Sequence, residues 1–419
     1  MTPPKQAVIL CGGMGTRLRP ITDHTPKPMV QIHARPFLEY LIIQLKKQGI
    51  TEVLLLTGFL GEKIRGYFGD GRDFSIRIKY SHGPAGWDTA KRIWEARQHI
   101  QPWFLLLYSD NFVPFNIFNL IYLRSKLLKP ISLLLQPKSR GNIRVSPDGL
   151  IECYDPHRKE ENLNYVEVGY MLIDRDVVFS RMDGSNTSFS SILSEFVGER
   201  QVAGLVVYDP YHSIGDPERL DITKRYLEPK KIILLDRDGL INKKMATGKY
   251  VTCWDEFEWI PETLEALKKL SKGGFRFIII SNQAGIGRGL VTKEAVLAIN
   301  AQMKEELIKF GIEILQIYIC PHHWEDECFC RKPNPGMFFQ ATGDHLFRLD
   351  QALYIGDDPR DCEAAFNAGC DSVFIGKGRE LSDLPKEKLP AHVADGLTVA
   401  VGFIEQYYSL ATSELYKNK

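Results

Sequence analysis

The stretch IILLDRDG at residues 232–239 decides the fold of the second half of the chain. Its four apolar residues predict a buried strand, so the acids that follow lie at the carboxyl end of a sheet, where open α/β sheets bind ligands. Asp236 can attack phosphorus as a covalent nucleophile, while Asp238 donates and then recovers a proton. The alternative, a strand that ends in a solvated Asp-Gly turn, is the better interpretation of this motif when it stands alone.

Three further segments carry matching chemistry in a fixed order, and each is predicted to lie at a strand end. They are Ser281, Asn282 and Gln283 after a strand at 277–280; Arg331 and Lys332; and Asp357 and Asp358 after a strand at 352–355, with Asp361 one helical turn later. Hydroxyl and amide groups can hold phosphate oxygens, the two cations can neutralise phosphate, and the carboxylates can bind Mg²⁺. Together with Asp236, this order predicts a phosphatase site.

The order of motifs resembles the haloacid dehalogenase (HAD) superfamily of phosphatases over residues 230–376. The closer similarity is to heptose 1,7-bisphosphate phosphatases and their histidinol-phosphatase relatives, through DRDGLIN at 236–242, GKYV at 248–251, SNQAGI at 281–286 and CRKPNPG at 330–336. The resemblance implies that Asp236 is the nucleophile and Asp238 the acid/base. The implied phosphate and substrate contacts are Ser281, Lys332, Asn282, Gln283 and Arg331. The implied Mg²⁺ ligands are Asp236, Asp357 and the carbonyl of Asp238.

A cluster of cysteines and histidines between these motifs indicates a second metal site. Cys320, His322, Cys328 and Cys330 offer three thiolates and an imidazole, a set suited to tetrahedral Zn²⁺. His323 is a competing imidazole that spacing alone does not exclude. A reducing compartment argues against disulfides. The resemblance maps the first four residues onto zinc ligands, which implies a closed, structural ion that fixes the loop carrying the Arg-Lys pair.

Length and composition limit the remaining functions. A chain of 419 residues is expected to hold two or three domains, and a short joint at 222–231 predicts domains at 1–226 and 227–419. The net charge of +1 provides no basic field for nucleic acid. No apolar run approaches the ~20 residues that span a membrane. The first predicted strand begins at Ala7, so we expect no secretory signal and a cytoplasmic location. The sequence leaves a homo-oligomer open.

The amino-terminal half opens with a predicted strand, AVIL at 7–10, and the glycine-rich loop CGGMGTRLRP at 11–20. Backbone N–H groups of such a loop can approach phosphates closely, and Arg17 can stabilise charge on a triphosphate. The spacing differs from a Walker loop and from a dinucleotide-binding fingerprint, which disfavours an ATPase or a dehydrogenase.

With TDHTPKPM at 22–29 and RPFLEY at 35–40, this loop resembles the signature of sugar-1-phosphate nucleotidylyltransferases. Strand and helix alternation similar to that family extends to about residue 220. In that family a sugar-phosphate oxygen attacks the α-phosphorus of a nucleoside triphosphate and expels pyrophosphate, through positioning and charge neutralisation. The residues implied are Gly12, Gly13 and Gly15 for the triphosphate, Arg17 and Lys27 as catalytic cations, and Asp110, after the strand at 104–109, for Mg²⁺.

Three later positions depart from the family pattern. Ser213 stands where many members have a second metal-binding Asp, Asp155 where they have a sugar-phosphate Lys, and Glu167 where they have Asn. A serine hydroxyl is a poor replacement for a carboxylate on Mg²⁺. Asp216, in the same turn as Ser213, is a candidate replacement ligand.

These observations predict two doubly wound α/β domains, a Rossmann-like nucleotidylyltransferase domain followed by a HAD-like phosphatase domain. Removal of the 7-phosphate from D-glycero-D-manno-heptose 1,7-bisphosphate leaves a heptose 1-phosphate, the substrate class of a nucleotidylyltransferase. We therefore expect a bifunctional enzyme of nucleotide-activated heptose synthesis for surface lipopolysaccharide. The alternatives are a phosphatase of heptose bisphosphate or histidinol phosphate whose first half only binds nucleotide, or one whose first half is a dimerising platform. The nucleotide and the anomer stay open.

Overall fold

The computed structural model describes residues 3–416, with side chains described up to residue 410. The chain divides into two compact units, one up to Arg225 and one from Tyr226 onward. No helix in the described range is long and apolar enough to cross a membrane.

The first unit is a mixed α/β structure. Its strands are β1 (Gln6–Cys11), β2 (Gln31–Ile32), β3 (Arg35–Pro36), β4 (Glu52–Thr57), β5 (Arg77–His82), β6 (Trp103–Tyr108), β7 (Asn111–Phe112), β8 (Ile131–Pro137), β9 (Ile143–Val145), β10 (Ile151–Tyr154), β11 (Tyr165–Asp174), β12 (Val202–Val206) and β13 (His212–Ser213). Its helices are α1 (Phe37–Lys47), α2 (Gly61–Phe68), α3 (Thr89–Glu95), α4 (Ile117–Leu127), α5 (Arg175–Phe179) and α6 (Phe189–Gly198), and α7 (Pro217–Leu227) follows at the division between the units.

A nine-stranded sheet forms the centre of this unit, with the order β10-β9-β11-β6-β1-β4-β5 and with β8 joining β11 to β12. β1 is parallel to both β4 and β6, and Leu10 pairs with Tyr108 in register. The carboxyl ends of β1 and β6 are therefore neighbours, which brings the glycine-rich loop beside Asp110. The antiparallel strand β11 next to β6 makes the sheet mixed rather than wholly parallel.

The second unit is built on a parallel sheet. Its strands are β14 (Ile232–Leu235), β15 (Arg276–Asn282), β16 (Ile314–Cys320), β17 (Leu353–Gly356), β18 (Asp371–Ile375) and β19 (His392–Ala394). Its helices are α8 (Pro261–Lys272), α9 (Ala284–Gly287), α10 (Lys293–Lys309), α11 (Gly336–His345), α12 (Pro359–Ala368) and α13 (Leu397–Tyr416).

The strand order β16-β15-β14-β17-β18-β19 places β14 at the centre, parallel to β15 and β17. Residues of β14 alternate between two cores, since Ile233 and Leu235 pack on one face and Ile232 and Leu234 on the other. Burial on both faces explains the continuous apolar run that predicted this strand. The doubly wound fold class is confirmed for both units.

One placement in the second unit differs from the sequence-based expectation. Arg331 and Lys332 do not follow a strand directly; they lie in the segment at 321–335, between the end of β16 at Cys320 and the start of α11 at Gly336. β16 is an edge strand in which Ile314, Tyr318 and Cys320 are buried and the residues between them are partly or fully exposed, including Gln316. Such a strand lacks the apolar run of a central strand, which is why sequence reasoning missed it.

Candidate active sites

Asp236 lies immediately after β14, in the middle of the parallel sheet. Its carboxylate is buried, and Oδ1 accepts a hydrogen bond from the backbone N–H of Arg237 at 2.8 Å. Lys332 Nζ lies 2.9 Å from the same oxygen. Burial raises the pKa of Asp236 to about 7, although Lys332 opposes the shift. The Asp236 carboxylate therefore lies beside the Lys332 ammonium, which can also bind phosphate oxygens.

Lys332 is fixed by its side chain and by its backbone. Its Nζ also contacts Asp361 Oδ1 at 2.8 Å and the hydroxyl of Tyr354 at 2.6 Å. Burial alone would lower the pKa of Lys332, but Asp236 and Asp361 raise it above its usual range. The amide of Asn282 bonds the backbone N–H and the carbonyl of Lys332 at 3.0 and 3.1 Å. Asn282, expected to contact phosphate, lines the cavity above Asp236 and also positions the lysine.

Asp361 reaches this site because of how α12 begins. Asp358 and Asp361 form a capping box at the start of the helix, in which Asp361 accepts the backbone N–H of Asp358 at 3.1 Å. The other oxygen of Asp361 then faces Lys332. Tyr354, in β17, also lies 3.2 Å from that oxygen. Tyr354 was missed by sequence reasoning, since an aromatic residue in a central strand is normally core.

The carboxylate of Asp238 is surrounded by donors. Arg237 contacts both of its oxygens at 2.9 Å, Asn242 donates at 3.0 Å and Gln283 at 2.7 Å. Burial would raise the pKa of Asp238, but Arg237 and the hydrogen bonds lower it overall. The arrangement therefore keeps Asp238 ionised, the form that acts as a base. To act as an acid, Asp238 must take up a proton, which requires that these hydrogen bonds weaken.

The remaining predicted phosphate contacts divide into two kinds. Ser281 is buried and its Oγ accepts from Gln283 Nε2 at 2.9 Å, so Gln283 ties Ser281 to Asp238. Arg331 borders an open cavity above Asp236. Its Nη1 is buried without a hydrogen-bond partner among the described residues. An unpaired guanidinium N–H beside a cavity suits an anionic ligand.

Oxygen atoms of Asp236, Asp357 and Asp361 all lie within 4.8 Å of one another. Asp357 Oδ1 is buried and finds no hydrogen-bond partner within the described range. Burial raises the pKa of Asp357, an effect that Lys244 opposes from 2.9 Å. Gly239 is required here, because a Cβ at this position of φ +99° would lie 2.2 Å from the Asp357 carboxylate. A donor set made only of carboxylate oxygens fits Mg²⁺.

The cysteine and histidine cluster is assembled as the sequence predicted. Distances among the sulfurs of Cys320, Cys328 and Cys330 are 3.4–3.5 Å, and His322 Nδ1 lies 3.1 Å from the Cys330 sulfur. Sulfurs bound to one tetrahedral zinc are about 3.8 Å apart, whereas a disulfide is about 2.05 Å long. The cysteines are unbridged, and the set therefore fits Zn²⁺.

The two candidate imidazoles lie in different surroundings. His323 begins a short turn at 324–326, where its Nδ1 accepts the backbone N–H of Glu325 at 3.3 Å, and its ring packs at a tilt against Trp324, with the ring centroids 3.9 Å apart. The group with metal-ligand geometry contains His322.

A cavity of about 590 Å³ opens above Asp236 and Asp238. Basic side chains outnumber acidic ones in its lining: Arg237, Lys244, Lys249, Arg288, Arg331, Lys332 and Arg360 against Asp236, Asp238, Asp358 and Asp361. Arg288 packs over the rings of Tyr250 and Trp324 at 5.8 and 5.2 Å. The lining is suited to a substrate with more than one negative charge.

The first unit has its own cavity, of about 430 Å³, at the carboxyl ends of β1 and β6. All the residues predicted for nucleotide transfer border it: Gly12, Gly13, Gly15, Arg17, Lys27 and Asp110. Lys27 Nζ lies 2.5 Å from Asp110 Oδ2, and Arg17 is exposed. Gly15 has φ +64°, which turns the loop at this point.

Arg92, in α3, is a residue of this cavity that sequence reasoning missed. Its buried guanidinium donates to the carbonyls of Thr57 at 2.9 Å, Pro84 at 2.7 Å and Gly12 at 3.3 Å. A Cβ on Gly12 would lie 2.2 Å from the Arg92 guanidinium carbon. Arg92 thus holds the glycine-rich loop against two neighbouring segments. A lone arginine in an amphipathic helix gives no sequence signal of this role.

Ser213 and its proposed replacement Asp216 lie in different surroundings. Ser213 lies beside Asp110, since β13 pairs Ser213 with Asn111 and Ile214 N–H bonds the Asp110 carbonyl at 2.9 Å. The Ser213 hydroxyl is buried without a hydrogen-bond partner among the described residues. Asp216 is turned away: it accepts the N–H of Arg219 at 2.9 Å and its other oxygen lies 3.3 Å from the Arg219 guanidinium. The replacement-ligand idea for Asp216 receives no support from this geometry.

The other two departures also have structural readings. Asp155, which is partly buried, accepts the backbone N–H groups of His157 and Glu160 in its own turn, so its charge stabilises this loop. Glu167 accepts the Gly169 N–H at 2.8 Å, and burial together with the nearby Asp110 raises its pKa to about 7.

Comparisons with known proteins find a family match in each unit. A family model described as nucleotidyl transferase matches residues 6–134, and one described as HAD-hydrolase-like matches residues 329–400. The D-glycero-alpha-D-manno-heptose-1,7-bisphosphate 7-phosphatase of Mycobacterium tuberculosis is 37% identical over 150 residues, covering 34% of this chain and 78% of that protein. The second unit of this chain belongs to that phosphatase family.

Two further members show the breadth of the family. The D-glycero-beta-D-manno-heptose-1,7-bisphosphate 7-phosphatase of Pseudomonas aeruginosa is 34% identical, covering 38% of this chain and 87% of that protein. The crystal structure of D,D-heptose 1.7-bisphosphate phosphatase from B. bronchiseptica, complexed with magnesium and phosphate, is 31% identical, covering 42% of this chain and 98% of that chain with a TM-score of 0.39. The chain thus joins a segment that matches the nucleotidyl transferase family model to a domain of the heptose-bisphosphatase family.

Proposed function

We propose that this chain is a bifunctional enzyme of nucleotide-activated heptose synthesis. The second unit removes the 7-phosphate of D-glycero-D-manno-heptose 1,7-bisphosphate, and the first unit transfers a nucleotidyl group to the resulting heptose 1-phosphate. The observation that carries the phosphatase is the buried Asp236 beside Lys332, at the centre of a cationic cavity, in a domain of the heptose-bisphosphatase family.

Asp236 attacks the phosphorus of the 7-phosphate and forms an aspartyl-phosphate, while the sugar oxygen leaves. Asp238 gives that oxygen a proton and later takes one from the water that hydrolyses the intermediate, so the proton balance closes over one turnover. Ser281 and Lys332 hold the phosphoryl oxygens, and Lys332 offsets their charge. Arg331 contacts the substrate with its unpaired N–H.

Two metals complete this proposal. Asp236, Asp357 and the carbonyl of Asp238 would hold Mg²⁺, which when bound neutralises charge on the phosphoryl group. Cys320, His322, Cys328 and Cys330 would hold a structural Zn²⁺. The zinc loop runs directly into Arg331 and Lys332, so its rigidity keeps both cations in the cavity.

For the first unit, we propose that the glycine-rich loop binds the triphosphate and that Arg17 and Lys27 stabilise its charge during transfer. Asp110 would hold the accompanying Mg²⁺. Lys27 Nζ and Asp110 Oδ2 are 2.5 Å apart, in the cavity beside the glycine-rich loop. We also propose that the chain works in the cytoplasm, where nucleoside triphosphates are available.

A second candidate function is favoured by one observation, the buried Ser213 hydroxyl where a metal carboxylate is expected. In this alternative the first unit binds nucleotide without transfer and the chain acts only as a phosphatase.

The relatives include enzymes named for the alpha and for the beta anomer, so the anomer is an outcome of the test.

The deciding experiment measures inorganic phosphate and pyrophosphate separately. Each anomer of heptose 1,7-bisphosphate is supplied with each nucleoside triphosphate to the wild type, to Asp236→Asn and to Lys27→Ala. We expect Asp236→Asn to lose both products from the bisphosphate but to release pyrophosphate when heptose 1-phosphate is supplied. Phosphate release without pyrophosphate in the wild type would leave the phosphatase-only function.

A further inference from the structure

Lys244 occupies an unusual place beside the proposed metal carboxylates. Its Nζ lies 2.9 Å from Asp357 Oδ2 and 3.5 Å from Asp358 Oδ2. The lysine borders the substrate cavity, and its side chain is 50% exposed. It belongs to an irregular segment between β14 and α8, so a long flexible side chain on a loop brings this charge to the site.

The contact satisfies only one side of Asp357. The other oxygen, Oδ1, is buried and has no hydrogen-bond partner within the described range, and Gly239 packs directly against the carboxyl group. A carboxylate that is partly buried and half satisfied is a strong site for a small cation. The ammonium of Lys244 and a divalent ion would repel each other there, since both would contact the same group.

We propose that Lys244 is exchanged for Mg²⁺ at Asp357, and that the released ammonium then contacts the phosphate group of the bound substrate. The exchange rests on the proposed phosphatase function. Without metal, Lys244 neutralises Asp357 and screens the neighbouring carboxylates. With metal, the ammonium is free in a cavity whose other cations already attract an anion. Metal and phosphate binding are therefore coupled through one side chain.

The first test titrates the full-length protein with Mg²⁺ alone in a calorimeter. Lys244→Met keeps the aliphatic stem and removes the charge, so we expect it to bind Mg²⁺ at least about fivefold more tightly than the wild type. Lys243→Met is the matched control, because this neighbouring lysine pairs with Glu258 instead. We expect Lys243→Met to bind Mg²⁺ as the wild type does, and Lys244→Arg to keep the competition. Equal Mg²⁺ affinity in Lys244→Met and wild type would overturn the exchange.

The second test titrates inorganic phosphate into Mg²⁺-saturated protein. Lys244→Met should bind phosphate about tenfold more weakly than wild type, by loss of one charge-assisted contact. Phosphate affinity equal to wild type would overturn the released-lysine contact. Asp357→Asn separates this inference from the function beneath it. If Asp357→Asn binds Mg²⁺ normally, the metal site of the proposed phosphatase is wrong as well; if it loses Mg²⁺ while Lys244→Met is unchanged, only the exchange is wrong.

Discussion

Lys332 Nζ lies 2.9 Å from Asp236 Oδ1, and both side chains are buried. The same ammonium also contacts Asp361 and Tyr354, and the backbone N–H of Arg237 donates to Asp236 Oδ1. A buried pair of this kind is costly to break by removing one partner and is a weak source of net stability. Its place at the bottom of a cationic cavity makes catalysis the better explanation for it.

Asp236→Asn should reduce phosphate release to below a few per cent of the wild-type rate, because an amide cannot form the aspartyl-phosphate. Lys332 keeps Asp361 as a partner, so we expect a folded protein with unchanged zinc content. Phosphate release and metal analysis are measured on the same preparation, with the exposed Asp255→Asn as the control for loss of one charge. Substantial residual turnover in Asp236→Asn would remove Asp236 from the role of nucleophile.

The rate of phosphate release should rise with pH through about 7 at limiting Mg²⁺. Burial raises the pKa of Asp236 to about 7, and only the ionised carboxylate attacks phosphorus. A bound divalent cation favours the ionised form, so saturating Mg²⁺ should move the inflection to lower pH. Profiles of kcat/KM against pH at the two Mg²⁺ levels check this. An inflection that moves upward with Mg²⁺ would contradict it.

His322→Ala should lose most of the zinc, whereas His323→Ala should keep about one zinc per chain. The reason is that His322 Nδ1 lies among the sulfurs while His323 caps the turn that follows. Cys328→Ser should lose zinc and lower the unfolding temperature of the second unit. Metal analysis after purification under reducing conditions gives the readout. Wild-type zinc content in both histidine variants would show that neither ring is a ligand.

Ser213→Asp should increase pyrophosphate release by the first unit by about tenfold or more, since a carboxylate beside Asp110 restores a strong oxygen ligand for Mg²⁺. Asp216→Ala should leave this rate within about twofold, because Asp216 is paired with Arg219. Pyrophosphate is assayed with heptose 1-phosphate and each nucleoside triphosphate. A large loss in Asp216→Ala would show that Asp216 breaks its contact with Arg219 and reaches the ion.

Glu167→Gln should stabilise the first unit at pH 8 and change little at pH 4. Burial raises the pKa of Glu167 from 4.5 to about 7, so between these values the folded unit keeps a proton that the unfolded chain has lost. Its contribution to stability therefore falls as pH rises through this window, by about 3 kcal/mol in total. Hydrogen exchange of β1 and β11 amides reports the first unit alone. Equal protection of wild type and variant at pH 8 would contradict the shift.

The order of chemical motifs along the chain predicted which residues the structure brings together in the second unit. Asp236 and Asp357 each follow a strand of the parallel sheet, Ser281 is the penultimate residue of β15, and parallel strands bring their carboxyl ends to one edge. The four residues proposed as zinc ligands were equally easy to find in the sequence, because they lie within eleven residues, 320–330. Local sequence determines such features, since strand ends and short loops leave their side chains few alternative positions.

The tertiary structure alone decided which groups act on one another. Nothing in the sequence linked Arg92 to Gly12, Tyr354 to Lys332 or Lys244 to Asp357, and only the packed structure turned Asp216 and Asp155 into caps of their own turns. A motif records residue types and spacing, whereas hydrogen bonds depend on distances of about 3 Å that the packing of distant segments sets. The sequence by itself therefore determined which chemical groups this protein has available. The tertiary structure decided which of these groups contact one another, because side chains far apart in the chain meet only when the sheet of their unit has formed.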